Sequence, residues 1–282
     1  MHKVCKALAL AGAMISLAST VGAQPTPGGL VEVPGGKLWV ESCGAGPRTL
    51  VLLHDGVLHS ATWDDVWPAL CKSFHVIRYD RRGYGRSPEA KAPYSRVDDL
   101  QAVMRTQGVG RAVIVGASAG GGLAIDFTLA HPDEVERLVV VGPAVSGLPY
   151  SRHFTDRMSE LNAQMGRGDM LGALKGSWAM APGDDANAKR LLALLMASPQ
   201  DLNHRDPATA PPPAAPRLSE IKAPTLVLVG EEDIADNQSQ AGVVEYAVPG
   251  ARRVVVRNAG HMLYMEQPAQ FVEVVTRFAE GG

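Results

Sequence analysis

The stretch AVIVGASAGGGLA, residues 112–124, decides the fold. Four apolar residues run into Gly116, Ser118 stands alone between two alanines, and three glycines follow. A continuous apolar run ending at glycine is the mark of a strand buried on both faces. The residues beyond it, 121–132, carry apolar side chains at three- and four-residue spacing, which predicts a helix. Ser118 therefore falls on a sharp strand-to-helix turn, in a G-x-S-x-G pattern over 116–120. Such a turn packs backbone against backbone, so it needs small residues two before and two after the serine. It also lifts the serine oxygen clear of the sheet edge.

The same alternation continues on both sides. Apolar runs at 48–54, 74–80, 137–142, 224–230 and 252–258 read as further buried strands, and PGG between LVEV and KLWVES makes 30–42 a hairpin. Helical spacing occupies 63–72, 95–108 and 268–280. Strands alternating with helices predict an α/β fold, a mostly parallel sheet covered on both faces. Between Gly142 and Pro224 no strand pattern appears. Two helical stretches and the connector DPATAPPPAAP (206–216) make 146–218 a small helical cap inserted after strand 6. The core is then 24–145 and 219–282.

The bulk numbers narrow the function. At 282 residues the chain can bury a sizeable core. A formal net charge of -2 with no basic run offers no handle for nucleic acid or an anionic membrane. No spaced His or Cys pair suggests a metal, and no glycine fingerprint suggests a nucleotide. No cofactor is expected. Lys3 and Lys6, the apolar run 7–18 and the small residues 21–23 have the layout of a cleaved signal peptide, 1–23. Cleavage near Ala23 would place the mature chain in the periplasm or outside the cell.

A serine hydroxyl is a weak nucleophile unless a neighbouring base takes its proton. His261, after the last predicted strand and before the last helix, is placed to be that base. An acidic group must orient the imidazole and stabilise its charged form. The run 231–236 supplies Glu231, Glu232, Asp233 and Asp236 just past a strand, while VVVGPAVSG after the preceding strand has no carboxylate. Asp233 is favoured, with Asp236 and Glu232 as rivals.

The order Ser118, Asp233, His261, with a strand–turn–helix around the serine, resembles the α/β-hydrolase fold family. DRRGYGRS (80–87) is similar to the family's loop after its fourth strand, and GHMLYMEQP (260–268) to its histidine loop. The resemblance covers nearly all of the mature chain. It implies an eight-stranded sheet and a serine hydrolase acting through an acyl-enzyme on Ser118. Small carboxylic esters are the expected substrates. Lactones, thioesters, carbon–carbon bonds of diketones, and transfer to an alcohol or to peroxide use the same residues. A binding protein of the same fold is the non-catalytic alternative.

The resemblance also implies an oxyanion hole of two backbone N–H groups. One belongs to Ala119. The other lies after the third strand, where family members read His-Gly-X and this chain reads His54-Asp55-Gly56. Aligning His54 makes Gly56 the donor; aligning the glycine makes it Val57. Gly56 is favoured, and Asp55 either tunes activity or caps the loop through its own backbone. His59 and Trp63 are expected to edge the substrate site. Met158, Met165, Met170, Trp178, Met180 and Met196 are candidates for an adaptable apolar pocket in the cap. The family's antiparallel second and fourth strands would bring Cys43 and Cys71 together away from the active site, which implies a disulfide between them.

Overall fold

The computed structural model describes residues 26–202 and 206–282. The expected leader, 1–23, lies outside them. Eight strands form one sheet: β1 (Thr26–Val33), β2 (Gly36–Cys43), β3 (Thr49–Leu53), β4 (His75–Tyr79), β5 (Ala112–Ala117), β6 (Val135–Val141), β7 (Thr225–Gly230) and β8 (Arg252–Val256). Their order across the sheet is β1-β2-β4-β3-β5-β6-β7-β8. The pairs β1–β2 and β2–β4 are antiparallel and the rest are parallel.

β5 lies in the middle, and all of its residues are buried. Val113, Val115 and Ala117 enter the core on one face, Ala112 and Ile114 the core on the other. Each fully buried valine or isoleucine contributes about 1.5–3 kcal/mol, which is why a strand with no polar side chain takes the centre. The first face is covered by α1 (Trp67–Leu70) and α9 (Pro268–Glu280), with Phe271, Val275 and Phe278 pointing inward. The second is covered by α2 (Arg96–Thr106), α3 (Ala119–Ala130) and α7 (Ala235–Ala247).

Between β6 and β7 the chain forms α4 (Arg152–Gly166), α5 (Met170–Lys175) and α6 (Asp185–Ala197), then a 3-10 turn at Pro199–Leu202. Side chains of Ser151, Asp169 and Asp184 cap the three helices at their N-termini. α8 (Leu263–Glu266) completes the set.

Two elements differ from expectation. The helix read over 63–72 is a 3-10 turn at Ser60–Trp63 followed by the four-residue α1. Pro68 lacks an N–H and suits only the first turn of a helix, so one continuous helix cannot run through it. α7 begins within the acidic run 231–236 and continues through residues for which the sequence pattern marked no helix. Cys43 and Cys71 are joined by a disulfide with Cα atoms 5.5 Å apart. Cys43 pairs with Val76 near the start of β4. The bridge therefore sits at the opposite end of the parallel strands from Ser118.

Candidate active site

Ser118 follows β5 with φ 52° and ψ -116°, a left-handed backbone that a non-glycine residue rarely adopts. Its surroundings hold it there. The Ser118 N–H donates to the Val141 carbonyl at 2.8 Å, and its own carbonyl accepts from Gly122 and Ala144, each at 3.0 Å. The flanking glycines are dictated by sterics. A Cβ on Gly116 would stand 2.2 Å from the Gly120 carbonyl oxygen, and one on Gly120 would stand 2.4 Å from the oxygens of Leu53 and His54. α3 therefore starts hard against the end of β3, and its first N–H groups have no acceptor within the helix.

The acid and the base come from the next loops along the same sheet edge. Asp233 follows β7 and His261 follows β8. The two loops pack backbone to backbone: Glu231 donates to Val256 at 2.8 Å and Glu232 to Ala259 at 2.9 Å. Asp233 Oδ2 lies 2.7 Å from His261 Nδ1. Its Oδ1 accepts from the Ile234 N–H at 2.8 Å and from Asn237 Nδ2 at 2.7 Å. A carboxylate facing Nδ1 requires the proton on that nitrogen, which leaves Nε2 as the acceptor. Gly142, at the end of β6, makes room for the pair, since a Cβ there would come within 2.9 Å of the imidazole.

Burial pulls the His261 pKa down, but the charge of Asp233 and its hydrogen bond outweigh burial, with help from Asp55, and the net shift is upward. Neither rival meets the imidazole. Asp236 accepts from the Ser151 N–H and hydroxyl at 2.6 and 2.7 Å, and Glu232 is exposed.

The loop after β3 is built on Asp55. Its Oδ1 accepts from Val57 at 2.8 Å and Leu58 at 3.0 Å. That is the local capping reading, and it occupies the Val57 N–H. A Cβ on Gly56 would lie 3.4 Å from the Ala119 Cβ, so Gly56 and Ala119 are neighbours beside Ser118. His54 is wholly buried behind the loop. Its Nε2 accepts from the Arg81 N–H at 3.0 Å, so its Nδ1 donates to the Asp55 carbonyl at 2.9 Å.

One cavity of about 230 Å³ is lined by Gly56, Val57, Ser118, Asn237 and His261 together with residues between β6 and β7. Of the cap candidates, Met158, Met165 and Trp178 line it. Met180 is buried packing, Met196 is 58 % exposed, and Met170 does not line the cavity. Sequence reasoning missed Tyr150, Phe154, Leu161 and Asn237. Phe154, Met158, Leu161 and Met165 share one face of α4, a spacing visible in the sequence.

His59 and Trp63 correct the expectation made for them. Trp63 has no exposed surface and packs in the core against Tyr264, with ring centroids 4.3 Å apart. His59 turns to Asp201, 2.8 Å away. Neither lines the cavity. A larger hollow of about 510 Å³ flanks α3 beside Asp126 and contains none of the three residues Ser118, Asp233 and His261.

Comparison with known proteins shows the family. The family model for the alpha/beta hydrolase family matches residues 50–274. The chain is 28 % identical over 255 residues to the pimeloyl-[acyl-carrier protein] methyl ester esterase of Edwardsiella ictaluri, covering 86 % of this chain and 98 % of that one. It is 27 % identical over 253 residues to carboxylesterase YbfK of Bacillus subtilis, covering 84 % and 83 %. The crystal structure of the enol-lactonase from Burkholderia xenovorans is similar with a TM-score of 0.71 at 26 % identity, covering 89 % and 99 %.

Proposed function

The chain belongs to the alpha/beta hydrolase family, and from that premise we propose that it cleaves small carboxylic esters through an acyl-enzyme on Ser118. The observation that carries this reading is the Asp233–His261 contact at 2.7 Å, opening into the cavity that Ser118 also lines. Ser118 Oγ attacks the ester carbonyl carbon as its proton passes to His261 Nε2. The carbonyl π pair moves to oxygen, and the N–H groups of Gly56 and Ala119 receive that charge. Loss of one such donor typically costs about 10²–10³ in rate. Collapse of the tetrahedral species expels the alcohol, which takes the proton back from the imidazolium. Water then attacks the acyl carbonyl as His261 takes its proton; the second tetrahedral species breaks its bond to Ser118 Oγ, which takes that proton from the imidazolium, and the acid leaves. Asp233 holds the imidazole in the right tautomer and stabilises its charged form throughout.

The cavity supports an apolar acyl group, given its methionine, leucine and aromatic walls. Likeness to esterases favours open-chain esters. Likeness to an enol-lactonase favours a second reading, in which the same residues open a cyclic ester. The Cys43–Cys71 disulfide supports a mature protein outside the cytoplasm, where such bonds persist. The test is hydrolysis of p-nitrophenyl esters of increasing chain length by the wild type and by Ser118→Ala. The expected loss in kcat is on the order of 10⁴-fold or more, with fluorophosphonate labelling abolished. A Ser118→Ala protein as active as the wild type would overturn the nucleophile assignment.

A further inference from the structure

Beyond the three residues assigned above, one polar side chain touches both the acid and the base. Asn237 is only 3 % exposed, sits one helical turn after Asp233, and lines the cavity. Its Nδ2 is 2.7 Å from Asp233 Oδ1 and 3.0 Å from His261 Nδ1. The direction of the amide is fixed by chemistry. An amide oxygen 2.7 Å from a carboxylate oxygen would be repelled, so the NH₂ group faces Asp233 and donates to it. The 3.0 Å approach to His261 is then a contact, because Nδ1 carries the proton that faces Asp233 Oδ2.

We propose that Asn237 is a positioning residue of the catalytic triad: by donating to Asp233 Oδ1 it locks the rotation of the carboxylate, so that Oδ2 meets the imidazole. A carboxylate can turn about its Cβ–Cγ bond and exchange its two oxygens. Here Oδ1 is pinned twice, by the Ile234 N–H from the backbone and by Asn237 from the first turn of α7. The donated N–H also withdraws charge from Asp233, so it tempers how strongly the acid holds a proton on His261. α7 anchors this support at both ends of its first turns: Asp236 binds Ser151, and Gln240 Oε1 accepts from Val145 at 2.7 Å. The helix that carries Asn237 is thereby tied to the start of the cap.

The inference rests on the Ser118–His261–Asp233 reading, and its test separates the two. The ionisable groups facing the pair are Asp55 from the loop after β3, Glu266 from α8 and Tyr150 from the start of the cap. All three are unchanged in the variants. Asn237→Leu removes the donor at similar volume. Steady-state kinetics on p-nitrophenyl butyrate should show kcat lower by about ten- to a hundredfold, the range expected when a catalytic group is slightly misplaced. KM should change less than kcat, since the methionine, leucine and aromatic walls of the cavity are untouched and Asn237 is the single lining position altered. The acid limb of kcat/KM should move to higher pH, because Asp233 loses a donor and stabilises the imidazolium more. Asn237→Gln, which keeps an amide N–H, should recover part of both effects.

A melting curve reports whether Asn237→Leu folds. If it does not, the smaller Asn237→Ala, which also lacks a donor, carries the same expectation. Wild-type kcat and acid limb in the folded variant would overturn the proposal. Equal losses in the Leu and Gln variants with an unmoved acid limb would also overturn it, as they would mark a packing role. Ser118→Ala, Asp233→Asn and His261→Ala run in the same assay distinguish the failures. Retained activity in any of these three sinks the triad reading itself. Their loss beside a wild-type-like Asn237→Leu sinks only the role of Asn237.

Discussion

His261 is where burial and charge oppose each other most directly. Burial lowers the pKa of an imidazole and a facing carboxylate raises it; here Asp233 prevails and the net shift is upward. The base must be neutral to take the serine proton, so activity should fall as pH drops through a value above the ordinary histidine pKa of about 6.5. The same shift stabilises the folded protein below the unfolded-state value, and that contribution is lost as pH rises through the folded one. In Asp233→Asn the attraction goes while the burial stays. The acid limb should then move to lower pH, opposite to Asn237→Leu, with kcat reduced on the order of 10⁴-fold as the tautomer is lost. A pH–rate profile of the variant checks both signs; a limb that stays put would remove Asp233 from contact with the base. The sequence singled out Ser118, Asp233 and His261 because each is a particular residue type just past a strand, and the structure brings Asp233 against His261 and places Ser118 and His261 on one cavity. The choice between Gly56 and Val57 was not legible there. It depends on which N–H the Asp55 side chain occupies, and only the folded loop shows that the Val57 N–H is taken. Trp63 was misread for a related reason. Closeness to the oxyanion loop in the chain says nothing about the 3-10 turn that aims it into the core.

The histidine loop is splinted to the segment between α5 and α6. His261 donates its N–H to the Trp178 carbonyl and Met262 to the Ala179 carbonyl, each at 2.9 Å. Glu266, on α8, accepts from the Ala181 N–H at 2.6 Å with one oxygen and from the Gly260 N–H at 2.7 Å with the other. One carboxylate therefore bridges the segment between α5 and α6 and the residue before His261. Glu266→Gln leaves one acceptor for two donors, so one backbone N–H near the site is orphaned at a cost of about 1–3 kcal/mol. The expected result is a lower melting temperature together with a lower kcat, read by calorimetry and steady-state kinetics; an unchanged kcat would mean that the splint does not place the imidazole. Neither this bridge nor α7 could be read beforehand. The inward face of α7 carries Asn237 and Gln240 beside Ala241 and Val244, so its hydrophobic stripe is interrupted by the polar groups that serve the site. α9, whose inward face is Phe271, Val275 and Phe278, was readable because nothing interrupts it. Helices that only pack announce themselves by period, and helices that also support chemistry blur it.

Across the whole molecule the two ends of the parallel strands do different work. The carboxyl ends of β5, β7 and β8 carry the site, while the opposite end is fastened by the Cys43–Cys71 bridge. There the backbone of 44–46 lies directly on that of 71–74: a Cβ on Gly44 would stand 2.0 Å from the Phe74 oxygen, and one on Gly46 the same distance from the Ser73 oxygen. That close packing brings the two cysteines together without any contact to Ser118, Asp233 or His261. Stability and catalysis should therefore separate on reduction. A bridge spanning 28 residues closes a loop whose entropy is worth about 3–4 kcal/mol in the unfolded chain. In a domain of this size that corresponds to a melting temperature lower by roughly 10 °C. The reduced protein at room temperature should keep the kcat of the oxidised form, since the sheet that carries the three loops is intact. Differential scanning calorimetry and ester hydrolysis, each with and without a phosphine reductant, read the two effects. A fall in kcat that precedes any loss of folded protein would mean that the bridge also helps to hold the far edge of the sheet. An unchanged melting temperature would mean that the unfolded chain gains nothing from losing the link.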